Sequence, residues 1–140
     1  IPFAESTGHL VIAYSPLAQG LLSGRYDRDH RPANRLRAAN PLFLPENLDR
    51  AGDLIATLRE VADAHAATPA QIALAWVIRG PAVVAIPGAS SVSQLESNVA
   101  AADIELTEDE YQALHAAAVR FRPVSGPAVL PRLIRSRLGR

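Results

Sequence analysis

The chain has 140 residues, of which 49% are hydrophobic and 20% charged; this indicates a single globular domain and excludes a disordered or fibrous protein. Its formal net charge of zero argues against a protein that binds nucleic acid over its whole surface. No apolar run approaches the ~20 residues that span a bilayer, no signal-peptide pattern opens the chain, and cysteine is absent.

These exclusions lead us to expect a cytoplasmic protein without membrane association, disulfides or thiolate metal sites.

The first predicted element is the last turn of a helix over Phe3–Ser6, stopped by Thr7 and Gly8, so an internal or truncated start is expected. An all-apolar strand follows over Leu10–Tyr14 and ends at Ser15. Apolar runs without alternation are typical of strands covered on both faces, as in parallel sheets.

The next part of the chain is predicted to be mostly loop. Leu17–Gly24 contains two glycines, and Arg25–Glu46 is a long segment that carries five of the fourteen arginines. Segments of that length are usually functional lids or disordered. Apolar residues then recur at helical spacing over Leu48–Ala66, which predicts one amphipathic helix.

The second half of the chain contains three helix starts of one kind. Thr68, Ser91 and Thr107 are each followed three positions later by glutamine or glutamate, which is the spacing of a capping box. Between the first two helices, a buried strand is predicted over Ala82–Ile86, followed by a sharp turn.

The end of the chain is rich in arginine: six arginines lie after Val119, and no acidic residue lies there. For this tail we favour a solvated terminus over contact with an acidic surface or a membrane.

Strands that alternate with long helices indicate a parallel sheet with right-handed crossovers. Only two strands are predicted, and two parallel strands cannot bury both faces and both edges by themselves. The chain is therefore expected to be a piece of a larger α/β structure, and its free strand edges offer a route to self-association.

No acid–base set or metal-ligand spacing is evident in the sequence. The four histidines are too scattered to form a metal site, and the glycine spacings of Rossmann and Walker motifs are absent, as is a nucleophile elbow. We predict no catalytic residue and no metal site in this chain.

Four residues outline a nucleotide. Tyr14 lies at the carboxyl end of one predicted strand and Ser90 just beyond the carboxyl end of the other, and in a β/α barrel these ends face the side where active sites form. An aromatic ring there can stack on a heterocycle, Gly20 lets the backbone approach closely, and Arg25 can pair with phosphate. A rim tyrosine and a solvated arginine are the structural alternatives. Likewise, the helix start after Ser91 suits a phosphate but is also an ordinary capped helix.

Four stretches resemble the aldo-keto reductase family. Ala13–Tyr26 and Ile86–Asn98 resemble its two C-terminal cofactor-binding signatures, and Arg35–Leu48 and Thr68–Ile78 resemble its bacterial and potassium-channel-β-subunit-like branch. The resemblance covers roughly residues 1–119. It implies an α/β fold, the C-terminal fragment of a (β/α)8 TIM barrel, with two parallel strands and flanking helices. The whole chain would be one partial barrel, with its last two β/α units, a C-terminal helix and an arginine-rich tail over residues 120–140.

The resemblance also implies that the chain binds NADPH without a Rossmann fold. Tyr14 would stack on the nicotinamide, residues 15–20 would line the pyrophosphate and Arg25 would contact phosphate. Ser90 and Gln94 would lie near the 2′-phosphate and Asn98 at the adenine. The implied cofactor-binding residues are Tyr14, Ser15, Pro16, Leu17, Ala18, Gln19, Gly20, Arg25, Ser90, Gln94 and Asn98. Relatives often carry a cation where Gly88, Ala89 or Gln94 stands, so the preference for NADPH over NADH stays open.

The implied reaction is the reduction of a small aldehyde or ketone by hydride transfer. The family's catalytic aspartate, tyrosine, lysine and histidine come from the first half of the barrel, which these 140 residues do not contain. We therefore expect this chain to be inactive alone. The alternatives are a non-catalytic nucleotide-binding or regulatory module, as in the channel β-subunits, and a truncated polypeptide.

Overall fold

The computed structural model describes residues 1–129, so the end of the arginine-rich tail, residues 130–140, lies outside the described residues. Two strands, β1 (Val11–Tyr14) and β2 (Val83–Ile86), are accompanied by helices and short 3₁₀ turns. The turns span Ala18–Ser23, Pro41–Phe43, Ala101–Asp103 and Gly126–Ala128. The helices are α1 (Pro2–Thr7), α2 (Arg35–Ala38), α3 (Pro45–Arg50), α4 (Gly52–Ala64), α5 (Pro69–Ile78), α6 (Val92–Ala100) and α7 (Glu108–Arg120).

The two strands are parallel neighbours. Val11 lies opposite Val83, and Tyr14 lies opposite Ile86. The Val11 N–H also donates to the carbonyl of Ala82 (2.7 Å), just before β2 begins. The predicted parallel pair is therefore confirmed, with each strand one residue shorter at its start than the sequence indicated.

Only one face of the sheet is covered by the described residues. Helix α5 packs against β2, and Val83 is buried. On the other face, Ile12, Tyr14 and Ile86 are 64%, 83% and 52% exposed. The exposed second face agrees with the expectation that two parallel strands cannot bury both faces by themselves, because its apolar side chains meet no other element within the described residues.

The core lies on the covered side of the sheet, between α4, α5 and α7. Leu58, Ile72 and Leu114 are almost fully buried there, one from each helix, together with Leu21 from the 3₁₀ turn after β1. Fully burying a side chain of this size contributes roughly 1.5–3 kcal/mol. The core thus anchors the loop that leaves β1 as well as the helices.

The capping boxes predicted at Thr68 and Thr107 are confirmed, with both reciprocal hydrogen bonds present. The box at Ser91 differs from the prediction. The Ser91 hydroxyl accepts the Gln94 N–H as expected, but the Gln94 side chain accepts hydrogen bonds from Ser90 instead of Ser91. The chain before α6 is therefore fixed one residue earlier than a standard capping box would fix it.

The prediction of a single amphipathic helix over Leu48–Ala66 is wrong. Helix α3 ends at Arg50, Ala51 has ψ −10°, and α4 begins at Gly52, a poor helix former. The long loop predicted over Arg25–Glu46 is shorter than expected, because α3 already begins at Pro45. The remaining arginine segment (Arg25–Leu44) is also more ordered than expected, because it contains α2 and the Pro41–Phe43 turn. None of the helices in the described part of the chain is both long and apolar enough to cross a membrane.

A partly buried pair of side chains joins the end of α4 to the start of α7. His65 Nε2 lies 2.9 Å from Glu110 Oε1, and the two side chains are 23% and 21% exposed. Hydrogen bonds from the Thr107 backbone N–H and from His65 lower the pKa of Glu110. Glu110 therefore serves both the helix cap and the contact between helices.

Replacing Glu110 with glutamine is expected to weaken the acid dependence of stability. Because the folded-state pKa of Glu110 is lowered, its stabilising contribution is complete above the ordinary glutamate pKa of about 4.3 and is lost as the pH falls through the folded-state value. Urea unfolding followed by circular dichroism between pH 7 and pH 3 should show a smaller loss of unfolding free energy for Glu110→Gln than for the wild type. The control is Ser93→Ala, an exposed change on α6 that removes no titratable group and should keep the wild-type pH dependence. An unchanged pH profile in Glu110→Gln would contradict the assignment.

Candidate functional site

The carboxyl ends of the two strands meet at one rim. Tyr14 and Ile86 are the last residues of β1 and β2, and they lie opposite each other in the parallel register. The β1 loop (Ser15–Gly24) and the β2 loop (Pro87–Ser91) therefore leave the sheet side by side, as the sequence predicted. The Tyr14 side chain stands exposed at this rim, on the uncovered face of the sheet.

The β1 loop has an unusual backbone. Ser15, Ala18 and Gln19 have φ of 51°, 47° and 58°, and Gly20 has φ of 97°. Left-handed backbone costs roughly 1–2 kcal/mol for a residue other than glycine. Two short hydrogen bonds hold the conformation: Ala18 N–H donates to Ser15 O and Gly20 N–H to Leu17 O, both at 2.8 Å. Clustered strain of this kind is common at ligand-binding sites.

The β1 loop is also held by contacts with the helical core. Leu21 is buried in the core, and the Ser23 hydroxyl donates to Gly20 O (2.7 Å). Arg59 on α4 donates from Nη2 to Gly24 O (2.7 Å), 35 positions away in sequence. The loop is thus tied to the helical core at its middle and at its end.

Gly20 is favoured by its backbone conformation and lies beside an aromatic ring. Its φ of +97° disfavours any residue with a side chain, and an added Cβ would lie 3.4 Å from Cε2 of Tyr26, an ordinary contact distance. Tyr26 in turn packs edge-on against Phe43, with ring centroids 5.2 Å apart. Gly20 was predicted from the sequence but Tyr26 was not, because no local pattern shows that its ring lies beside Gly20.

The β2 loop is organised by Gln94. Ser90 donates from its backbone N–H and its hydroxyl to Gln94 Oε1, at 2.9 and 3.0 Å. The Ser91 hydroxyl accepts the Gln94 N–H (3.2 Å). Because the carboxamide oxygen of Gln94 is occupied within the loop, its amide N–H groups are the part of the side chain that can donate to a ligand.

Arg25 directly follows the β1 loop and is exposed. None of the hydrogen bonds or ion pairs of the described residues involves it. Other charges nearby are paired: Arg28 with Asp49 (2.9 Å) and His30 with Asp27 (3.0 Å). The hydrogen bond between the latter two lowers the pKa of Asp27 and raises that of His30.

Asn98 lies one turn beyond Gln94 on α6 and is partly buried. It borders an open groove of about 600 Å³ between α5, β2 and α6. The groove is otherwise mostly apolar, with Leu74, Val83 and Leu95 among its lining. Asn98 therefore belongs to the same helix as Gln94 but lies further from the rim.

Among residues 1–129, no three histidine or acidic side chains are grouped to hold a metal ion.

The Aldo/keto reductase family model matches residues 1–119 of the chain. Over 140 residues the chain is 57% identical to an uncharacterized oxidoreductase of Mycobacterium tuberculosis, which covers all of this chain and 43% of that protein. Over 113 residues it is 41% identical to the aldo-keto reductase str7 of Strobilurus tenacellus, covering 79% of this chain and 34% of that protein.

Solved structures also share the fold, and two of them are compared with the chain. The glycerol dehydrogenase AKR11B4 from Gluconobacter oxydans superposes with a TM-score of 0.74 at 28% identity, covering 89% of this chain and 39% of that one. The thermostable aldo-keto reductase Tm1743 gives 0.58 at 30% identity, covering 83% and 32%. The two parallel strands with their helices thus match part of a TIM barrel. The chain belongs to the aldo/keto reductase family and spans less than half the length of the relatives it matches.

Replacing Gln19 with glycine is expected to stabilise the chain by up to about 1 kcal/mol, because glycine adopts positive φ without steric cost. Urea unfolding of the purified variant measures this difference. The matched control is Glu60→Gly, at an exposed position within α4, which should destabilise by about 1 kcal/mol. If Gln19→Gly destabilises as much as the control, the loop does not hold the strained backbone described here.

Proposed function

We propose that the chain is the C-terminal, NADPH-binding portion of an aldo-keto reductase that reduces aldehydes or ketones by hydride transfer. We further propose that it comes from the bacterial and potassium-channel-β-subunit-like branch of the family. The observation that carries the proposal is the pairing of Tyr14 with Ile86, because it brings two loops of complementary chemistry to one rim.

The residues around this rim suit the parts of a dinucleotide. The exposed ring of Tyr14 offers a flat surface to the nicotinamide. The ordered β1 loop, with Ser15, Pro16, Leu17, Ala18, Gln19 and Gly20, lets the backbone approach the pyrophosphate, and the exposed guanidinium of Arg25 can form charge-assisted hydrogen bonds with phosphate oxygens.

The start of α6 suits the adenosine end. The amide N–H groups of Gln94 and the positive end of the helix dipole favour an anion there, in keeping with the 2′-phosphate of NADPH. Ser90, whose N–H and hydroxyl both donate to Gln94 Oε1, holds that side chain in place. These donors are neutral, so the preference over NADH is expected to depend on hydrogen bonding more than on charge. Asn98 would contact the adenine from the next turn.

Bound NADPH would supply the hydride. The residues of this chain would bind and orient it: Tyr14 fixes the plane of the nicotinamide, and the two loops fix the phosphates. No proton donor for the carbonyl oxygen is assigned among these residues, so the chain alone is proposed to bind cofactor without turnover. Further strands are proposed to pair with the unpaired edges of β1 and β2. The protein is also proposed to be cytoplasmic.

Titration of the 140-residue chain with NADPH, followed by nicotinamide fluorescence, tests the cofactor assignment. Arg25→Ala is expected to raise the Kd about tenfold or more, since a charge-assisted hydrogen bond contributes about 1.5–3 kcal/mol. Ser90→Ala is expected to raise it about three- to tenfold, as for loss of a neutral hydrogen bond.

Arg28→Ala is the matched control, because Arg28 is an exposed arginine of the same segment that pairs with Asp49. Its Kd should equal that of the wild type. Unchanged affinity in both Arg25→Ala and Ser90→Ala would remove the cofactor assignment. Turnover of a simple aldehyde by the 140-residue chain would contradict its proposed lack of catalytic groups.

A further inference from the structure

Asn47 on α3 is fully buried, and no other polar side chain is buried to this extent among residues 1–129. Its Nδ2 donates to Pro41 O (2.8 Å) and to Val124 O (3.2 Å), while its Oδ1 accepts the Val124 N–H (2.7 Å). The carboxamide therefore pairs with both polar groups of Val124, which lies 77 positions away. An apolar residue cannot make these bonds, and an aspartate cannot donate two of them.

This side chain joins three separate parts of the chain. Pro41 begins the turn near the end of the arginine segment, Asn47 lies in α3, and Val124 lies in the C-terminal segment (Phe121–Val129). A small apolar cluster of Leu44, Val124 and Val129 surrounds the junction. The arginine segment is thus held at its end by residues that follow the last helix.

Contacts continue from this junction to the β1 loop. The turn that accepts the Asn47 hydrogen bond contains Phe43, which is fully buried. The Phe43 ring packs against Tyr26, and an edge of the Tyr26 ring lies beside Gly20. Asn47 therefore joins Val124 to the turn that carries Phe43, and Phe43 packs on the ring that borders the strained loop.

We propose that Asn47 is a positioning residue for cofactor binding. By fastening the end of the arginine segment to the C-terminal segment, it keeps Tyr26 against Gly20 and so holds the β1 loop in the conformation that receives the dinucleotide. The role in binding rests on the proposed function, whereas the coupling between Asn47 and the loop does not.

The test is Asn47→Leu in the 140-residue chain, which keeps the size of the side chain and removes all three hydrogen bonds. Amide hydrogen exchange is measured without cofactor, at a temperature where circular dichroism shows the variant fully folded. Exchange over residues 17–24 is expected to be at least tenfold faster than in the wild type, and the Kd for NADPH about tenfold higher. A purely structural role would lower the thermal midpoint without changing either readout in the folded protein.

Gln112→Leu is the control. Gln112 also has a carboxamide side chain that forms a hydrogen bond, donating to Glu108 Oε1 (2.7 Å), but it is exposed on α7 and has no hydrogen bond to Pro41 or Val124. Its exchange over residues 17–24 should stay at the wild-type rate. Should Asn47→Leu fail to fold, Val124→Pro removes the N–H that Asn47 accepts, leaves Asn47 in place and is expected to accelerate the same amides.

Unchanged exchange over residues 17–24 in the folded variant would overturn the coupling. Faster exchange with an unchanged Kd would overturn the role in binding, because the loop would not then need this conformation. If the wild-type chain itself fails to bind NADPH, the proposed function falls and the role in binding falls with it. The exchange rates without cofactor still decide separately whether Asn47 holds the loop.

Discussion

Four residues of β1 lie in parallel register with four of β2, and this pairing determines where the rest of the chain must go. Parallel neighbours cannot be joined by a tight turn, so the chain leaves Tyr14, crosses one face of the sheet through α4 and α5, and returns to Val83. That crossover builds the helical core and places both outgoing loops at one rim. Any change of register would separate the loops and remove the site between them.

The two loops at the rim are held in different ways. The strained β1 loop is held by its own hydrogen bonds, by the burial of Leu21 in the core and by Arg59 on α4. The β2 loop depends instead on a local contact between Ser90 and Gln94. One side of the candidate site is therefore sensitive to packing throughout the chain, and the other to a single side chain at the start of α6.

Local features could be predicted from the sequence. The strands and the boxes at Thr68 and Thr107 depend on residues a few positions apart, and these predictions are confirmed. The break at Ala51 and the bonds of Asn47 to Val124 could not be found in this way, because they depend on tertiary contacts. The uncovered face of the sheet was expected, because two parallel strands cannot bury both faces by themselves. The roles of the cofactor-binding residues come from the family resemblance and stay predictions.

Amide hydrogen exchange of the 140-residue chain, measured with and without saturating NADPH, decides whether the two strand ends bind one dinucleotide together. A ligand that bridges the rim should slow exchange in residues 15–24 and 87–94 together, at the same NADPH concentration, and leave the middle of α4 unaffected. Protection confined to one of the two loops, or absent from both, would show that they do not bind a shared ligand.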